Sequence, residues 1–336
     1  MKKLLTTLSI PLLALTSHNT LAADVNEHNL KFGYSVQEAH PLGKGATRFA
    51  QLLAEKSGGK IKVKNYPATQ LGSEVQMISA TQGGVQEMVG VSSAPLVGIV
   101  KDFALFDLPF MFANEKEVDA VVDGPISGQL FDKLAGKGLI GLCFWENGFR
   151  HITNSKRPIA KLDDLRGLKI RTMQNPVYVD MFNTLGANSV PMAWPEVYAA
   201  LETKAIDAQE NPFAIVSTNK IDEVQKYLSV TKHAYSPYAV MVGAKFWDKL
   251  TPTERTIFKD SCTEARDYQR KTGRDEDVKT LAELKTRGML INEVPAEAVA
   301  LMKQQLKPVT DKYTREIGET FVKQAQAEID KVRAQK

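Results

Sequence analysis

Apolar and polar residues follow two different periodicities along this chain, and segments of the two kinds succeed one another. Residues 60–66 alternate polar and apolar side chains with a period of two, which predicts a strand with one wet face. Residues 41–56 have helical periodicity, with Pro41 near the start and Gly58-Gly59 after the end. The same patterns predict strands at 30–35, 87–91, 139–145, 168–173 and 205–209, and helices at 73–80, 176–185 and 195–203.

The order of these elements predicts the fold class. Alternating strands and helices favour a largely parallel sheet wrapped by helices, so the sequence indicates an α/β protein. From Thr251 onward strand signals nearly vanish, because Thr251 and Glu254 form a capping-box pattern and only 288–294 looks extended after them. About 313 residues follow residue 23, a length that suits two domains. No stretch of the sequence has the composition of a flexible linker between two domains. We therefore expect two domains, several chain crossings and a hinged cleft.

The N-terminus predicts export from the cell. Lys2 and Lys3 precede an apolar stretch at 4–15, and small residues follow at 20–23. This combination is typical of a cleaved signal peptide over 1–23, whereas a buried N-terminal helix would not need a basic start and a small-residue end. The apolar stretch is shorter than the roughly 20 residues that span a bilayer. We expect a mature protein in the periplasm.

Charge and cysteine content exclude several classes of protein. Removing Lys2 and Lys3 leaves 41 basic residues against 39 acidic ones, a net charge near +2. That balance favours neither nucleic acid nor an anionic membrane surface as a partner. Cys143 lies in an apolar run and Cys262 in a charged helical stretch, so we expect two separate thiols. An oxidising compartment leaves a disulfide between them open as the alternative.

Three polar residues stand where predicted strands end. Arg150 follows an Asn-Gly turn, Arg171 lies on the polar face near the end of 168–173, and Asn211 precedes a proline. Open α/β sheets bind small ligands beyond the carboxyl ends of their strands, and an arginine can offer two parallel hydrogen bonds to a carboxylate. Two arginines and an amide therefore suit a small organic acid. A structural ion pair for Arg150 and a turn role for Asn211 remain alternatives.

Further candidates lie at strand ends and helix starts. Ser92 and Ser93 end a strand before Pro95, where free backbone N–H groups could favour an anion or simply cap a helix. Trp194 begins a helix and could stack on a ligand or pack in the core. His40 lies between a strand and a helix, as a ligand contact or an ordinary loop histidine.

Catalytic and cofactor motifs are missing from the sequence. It contains no Gly-x-Gly-x-x-Gly, Gly-x-Ser-x-Gly or phosphate-loop motif, and no cysteine pair with metal-ligand spacing. Its histidines are scattered rather than paired at helical spacing. We therefore expect no catalytic residues, no metal and no cofactor, and we do not expect an enzyme.

Across essentially the whole mature chain, short motifs in a specific order resemble one family. The family is the DctP family of solute-binding proteins of tripartite ATP-independent periplasmic (TRAP) transporters. The motifs that carry the resemblance lie at 66–72, 107–110, 147–150, 153–155, 164–171, 191–203 and 206–212.

The resemblance implies a periplasmic-binding-protein clamshell of two α/β domains with mixed sheets and a long C-terminal helix. It places domain I at 24–147 plus 236–277 and domain II at 148–235 plus 278–336. In this family the arginine at Arg171 pairs with the ligand carboxylate, Arg150 supports it, Asn211 contacts the carboxylate or a hydroxyl, and Trp194 covers the site. The complete predicted set of ligand-binding residues is Arg171, Arg150, Asn211, His40, Glu74, Ser92, Ser93, Met173, Gln174 and Trp194.

The resemblance also limits the chemical class of ligand that we expect. Sialic-acid binders of the family have an acid where this chain has Ser92, which disfavours sialate. Residues 145–148, 223–228 and 233–237 resemble the branch that takes sugar acids such as uronates and diketogulonate. We expect a monomer that captures a uronate and delivers it to a TRAP membrane permease. A C4-dicarboxylate such as malate or succinate is the alternative ligand; a sugar-acid enzyme and a sensory subunit are more remote alternatives.

Overall fold

The protein is described by a computed structural model that covers residues 24–335. The predicted signal peptide, residues 1–23, lies outside the described residues. The strands are β1 (His28–Tyr34), β2 (Ile61–Tyr66), β3 (Met88–Ser92), β4 (Leu139–Phe149), β5 (His151–Asn154), β6 (Lys169–Thr172), β7 (Asn188–Pro191), β8 (Ala208–Asn211), β9 (Tyr227–Val230), β10 (Tyr235–Gly243) and β11 (Leu290–Glu293).

Helices follow most of these strands. They are α1 (Pro41–Lys56), α2 (Glu74–Gly83), α3 (Glu115–Val122), α4 (Pro125–Ala135), α5 (Pro176–Thr184), α6 (Trp194–Glu202), α7 (Phe213–Thr218), α8 (Ala244–Trp247), α9 (Pro252–Thr286), α10 (Ala296–Gln305), α11 (Lys307–Ile317) and α12 (Glu319–Ala334). Short 3-10 helices lie at Ala94–Gly98, Lys101–Asp107, Leu162–Leu165 and Ile221–Glu223. The predicted α/β fold with two sheets is confirmed.

The first sheet, which we call lobe I together with its helices, has the strand order β2-β1-β3-β10-β4. Strands β2, β1 and β3 are parallel, whereas β10 is antiparallel to both β3 and β4. The mixed sheets implied by the resemblance are present, and the largely parallel sheet expected from alternation alone is wrong. Strand β10 is not among the predicted strands. Pro237 lies within it, and proline lacks the N–H that a central strand normally donates. Here a register shift against β4 falls at Ser236 and Pro237, which accommodates the missing donor.

The second sheet, lobe II with its helices, has the order β11-β9-β5-β8-β6-β7. The chain passes from lobe I to lobe II at Arg150, between β4 and β5, and returns between β9 and β10. Strand β5 is antiparallel to β8, with His151 opposite Asn211, so Arg150 lies beside the end of β8. Strand β8 begins at Ala208, three residues later than the predicted strand.

The long helix α9 crosses the back of both lobes. Its predicted capping box is present, because Glu254 N donates to Thr251 Oγ1 at 3.2 Å and Thr251 N donates to the Glu254 carboxylate at 2.7 Å. The helix has 35 residues and packs on α1 and β4 in lobe I and on α7 in lobe II. Near its C-terminal end Leu284 belongs to the apolar core of lobe II. The long helix in the C-terminal part of the chain is confirmed.

Cys143 and Cys262 form a disulfide, with 6.1 Å between their Cα atoms. The expectation of two separate thiols is therefore wrong. The sequence separates the two residues by 119 positions, and only the packing of α9 across β4 brings them together. The bridge attaches α9 to the sheet of lobe I.

The C-terminal helices contact both lobes. Helix α11 packs on α5 of lobe II, and α12 packs on α3 of lobe I, where Arg333 forms an ion pair with Glu117. The proposed domain boundaries therefore stay a prediction. Across residues 24–335 we find no helix with both the length and the apolar character needed to cross a membrane.

Candidate functional site

A small cavity of about 30 Å³ lies between the lobes, at the carboxyl ends of β1, β3, β6 and β8. Strand β4 and helices α2, α6 and α7 contribute most of the rest of its wall, and both lobes take part. From the predicted set, its wall contains Arg171, Asn211, Glu74, Ser92, Met173 and Trp194. Residues that sequence reasoning did not select also line it, namely Ser35, Val36, Asn147 and Ile215.

Arg171 lies at the end of β6 and is buried, with its guanidinium in the cavity wall. Its Nε and Nη2 donate to the carbonyl oxygen of Met192 at 3.0 and 2.8 Å, and the group lies 5.4 Å from the centre of the Trp194 ring. Among residues 24–335, no carboxylate lies within ion-pair distance of it. Burial lowers the pKa of Arg171 to about 10, so it remains a cation at neutral pH.

Arg150, by contrast, is fully buried and paired within the protein. Its Nε donates to Glu210 Oε2 at 2.5 Å, and its Nη2 donates to Glu210 Oε1 at 2.9 Å and to Asn211 Oδ1 at 3.0 Å. Burial alone would raise the pKa of Glu210, but Arg150 and His233 hold it below its ordinary value. Arg150 is not part of the cavity wall. The structure thus places it in the ion pair that the sequence analysis left open.

Asn211 ends β8 with both ends of its amide engaged. Its Oδ1 accepts from Arg150, and its Nδ2 donates to Gln209 Oε1 at 2.6 Å. Its orientation is therefore fixed by lobe II itself, before any ligand arrives.

Glu74 brings an acid into the cavity from lobe I. It lies in the first turn of α2, whose N-cap Ser73 forms a capping box with Gln76. Its Oε1 accepts from Ser35 Oγ and from the backbone N–H of Ser92, each at 2.9 Å. Burial raises the pKa of Glu74 above its ordinary value. The helix start thus delivers a carboxyl group to the end of β3, beside Ser92.

Two unpredicted polar residues complete the wall. Ser35 directly follows β1, so the strand-end rule that selected Ser92 would also have found it. Asn147 lies in β4 and is only 8 % exposed, yet no hydrogen bond of its side chain exists within the described part of the chain. It was present in the motif at 147–150 but was not selected.

Besides Arg150, three predicted residues lie outside this wall. His40 caps α1, with Leu42 N donating to its Nδ1 at 3.0 Å, and burial lowers its pKa to about 3. Ser93 is buried, and its backbone N–H donates to Pro237 O at 3.0 Å. Gln174 is exposed and lines a neighbouring cavity of about 20 Å³, which shares Arg171 and Trp194 with the first.

A larger groove of about 460 Å³ forms the mouth of the cleft. Ser35 and Trp194 line both the groove and the inner cavity, so the two adjoin. Gln37 of lobe I donates to Asn219 of lobe II across this mouth, at 3.4 Å. The groove therefore leads between the lobes to the inner cavity, whose wall contains Arg171.

Two α/β lobes that enclose a cleft lined by a buried arginine, without a carboxylate partner among residues 24–335, define a clamshell binding protein for small solutes. The chain belongs to the bacterial extracellular solute-binding proteins of family 7, the DctP family of TRAP transporters, whose family model matches residues 32–316. The family predicted from the sequence motifs is confirmed.

Named relatives cover most of the chain. The 2,3-diketo-L-gulonate-binding periplasmic protein YiaO of Escherichia coli K12 is 39 % identical over 82 % of this chain and 83 % of its own. The C4-dicarboxylate-binding periplasmic protein DctP of Rhodobacter capsulatus is 37 % identical over 89 % and 91 %. The sugar acid binding protein DctPAm of Advenella mimigardefordensis, crystallised with galactonate, has a TM-score of 0.90 and 38 % identity over 92 % of this chain and 99 % of its own.

Proposed function

We propose that this protein captures a sugar acid in the periplasm, a uronate such as glucuronate or galacturonate or a related aldonate, and delivers it to a TRAP membrane permease. The observation that carries the proposal is the buried cation Arg171, which lines the interlobe cavity without a carboxylate partner in the described chain. A galactonate complex of one relative and the 2,3-diketo-L-gulonate name of another support the sugar-acid class.

The ligand carboxylate takes the place of the missing partner of Arg171. At about 4 Å and an effective dielectric constant of about 20, opposite unit charges attract by about 4 kcal/mol, compared with about 1 kcal/mol in water. Closure of the lobes therefore strengthens this contact by removing water. Arg150 supports the site indirectly, by fixing Asn211. The other residues that we assign to the ligand are Asn211, Glu74, Ser92, Met173 and Trp194, with Gln174 at the neighbouring cavity.

Hydroxyl groups of the ligand find partners in the same wall. Glu74 and Asn211 still have hydrogen-bonding capacity beyond their internal bonds, and Trp194 supplies an apolar face for a sugar ring. A buried polar site penalises a ligand that leaves its groups unpaired, by about 1–3 kcal/mol for each. The site thus selects an acid with several hydroxyls.

A C4-dicarboxylate is the second candidate, because the R. capsulatus relative is named for that class. A second carboxylate needs a second cation. Arg150 is already neutralised by Glu210, and Glu74 places negative charge in the cavity wall when ionised. The charges of the wall therefore favour a monocarboxylate.

A thermal-shift series tests the proposal, since a ligand that binds only the folded state raises the melting temperature. We expect glucuronate, galacturonate or galactonate to give a larger shift than succinate or malate at equal concentration. Arg171→Leu should abolish the shift, whereas Arg166→Leu, at an exposed arginine, should not. A larger shift with succinate or malate would show that the ligand is a C4-dicarboxylate instead. Appearance of a new product from the uronates would indicate an enzyme.

A further inference from the structure

Asn147 is a buried amide without a partner. Its side chain lines the inner cavity, its Oδ1 is inaccessible to solvent, and neither end of the amide forms a hydrogen bond within residues 24–335. The preceding residue, Glu146, is instead fully engaged by Tyr235 and Arg274. Buried polar groups in native proteins are almost always paired, and an unpaired one costs stability. A group retained at that cost, in the wall of a ligand cavity, indicates a partner that arrives with the ligand.

The two amides of the cavity differ in what they can offer. Asn211 has its oxygen held by Arg150 and its nitrogen held by Gln209. The Oδ1 of Asn147 is buried and unoccupied, and no hydrogen bond of its Nδ2 exists within residues 24–335. This amide can therefore meet a hydroxyl group, which donates and accepts, or an oxo group, which accepts. A methylene group can form no hydrogen bond with this amide.

The size of the cavity places this contact close to the ligand carboxylate. Arg171 and Asn147 line the same space of about 30 Å³, which holds about two water molecules at 10–15 Å³ each. Atoms that reach both residues are therefore separated by only a few bonds. With the carboxylate on Arg171, the oxygen that faces Asn147 belongs to the adjacent carbon or the one after it.

We propose that Asn147 is a specificity-determining residue that binds the oxygen substituent on the nearer of these two carbons, the one beside the ligand's carboxylate. The protein then selects acids with a hydroxyl group at that carbon, whose O–H donates to the buried Oδ1, whereas an oxo group could only accept from Nδ2. The assignment rests on the proposed function only in taking Arg171 as the carboxylate anchor, and it does not depend on how long the rest of the ligand is.

Calorimetry with matched ligand pairs tests the assignment. D-gluconate and 2-deoxy-D-gluconate differ in the hydroxyl beside the carboxylate, and so do malate and succinate. We expect Asn147→Leu, which replaces the amide by an apolar group of similar shape, to weaken binding of the hydroxylated member of a pair by about tenfold or more. Binding of the deoxygenated member should change by less than about twofold, because it never used the amide.

The melting temperature of the ligand-free variant supplies a second readout. Since Asn147→Leu removes an unpaired buried amide, the unliganded variant should melt at the same temperature as the wild type or higher. A structural asparagine would give a lower melting temperature. Asn188→Leu, at an exposed asparagine of β7, is the matched control and should leave both ligand pairs unaffected.

Each outcome decides between the hypotheses. Equal losses for both members of a pair, or no loss for either, would overturn the role of Asn147. If Asn147→Leu does not fold, Asn147→Ser with the same ligand pairs replaces it, and misfolding of both variants would itself show a structural role. Wild-type protein that binds malate but none of the sugar acids would refute the proposed function, while the malate and succinate pair would still test Asn147.

Discussion

Arg150, at the crossing from lobe I to lobe II, and Arg171, near the end of β6 in lobe II, are both buried arginines that the same strand-end rule selected from the sequence. Their surroundings differ. Arg150 has two hydrogen bonds to the carboxylate of Glu210 and one to Asn211. Arg171 has two hydrogen bonds to a single backbone carbonyl and an aromatic ring beside it. One charge is balanced by the protein, and the other has no carboxylate partner within residues 24–335.

The pKa values show the same contrast. Glu210 outweighs burial and raises the pKa of Arg150 above its ordinary value, whereas burial lowers that of Arg171. A buried charge balanced inside the fold contributes to structure, and one left unbalanced costs stability until a ligand neutralises it. The comparison therefore supports our proposal of a structural role for Arg150 and a ligand-binding role for Arg171.

The largest expected effect is a loss of stability when Arg150 loses its partner Glu210. Glu210→Ala leaves the guanidinium of Arg150 buried without its counter-ion, so the free energy of unfolding should fall by about 3–5 kcal/mol. Urea denaturation measures the change. Glu196→Ala, at an exposed acid of α6, is the control and should change stability little. A loss below about 1 kcal/mol for Glu210→Ala would remove the distinction between the two arginines.

The next effect is on ligand affinity at the Arg171 side. Arg171→Lys keeps the charge but loses the paired N–H groups that match a carboxylate, so affinity for the sugar acid should fall about 10- to 100-fold. Calorimetry gives the dissociation constant, and Arg166→Lys is the exposed control. Unfolding by urea should be nearly unchanged, in contrast to Glu210→Ala. Wild-type affinity in Arg171→Lys would contradict the assignment.

The smallest expected effect is the pH dependence of ligand affinity that Glu74 causes in the cavity it shares with Arg171. Burial raises its pKa above the ordinary value of 4.5, and a bound carboxylate favours its protonated form further. Affinity should therefore be highest at low pH and fall by about three- to tenfold as pH rises through the raised pKa. Glu74→Gln should flatten this profile and improve binding of dicarboxylates. An unchanged profile in Glu74→Gln would exclude this role.

Helix bounds and strand ends that depend on neighbouring residues could be predicted from the sequence. Helix α1 begins at Pro41 and ends at Lys56 as predicted, and the capping box of Thr251 and Glu254 starts α9. The strand-end rule also selected Arg171 and Asn211, which the structure places in the wall of one cavity. These features depend on residues a few positions apart, where periodicity and capping operate.

Features that depend on distant residues could not be read in this way. Glu210 lies 60 positions from Arg150, and only the antiparallel pairing of β5 with β8 joins them. The amide of Asn147 is recognisable as unpaired only once every neighbour is in place. His40 had the right position between strand and helix, but its ring nitrogen caps α1 instead.

The disulfide between Cys143 and Cys262 has a consequence for the geometry of lobe motion. The 24 residues of α9 that follow Cys262, up to Thr286, extend over about 36 Å at 1.5 Å per residue. A tilt of about 5° at Cys262 would therefore displace the far end, near Leu284 in lobe II, by about 3 Å. The disulfide holds α9 against β4 at the origin of that tilt. The angle at which the two lobes meet thus depends in part on a bridge four residues from Asn147 along β4.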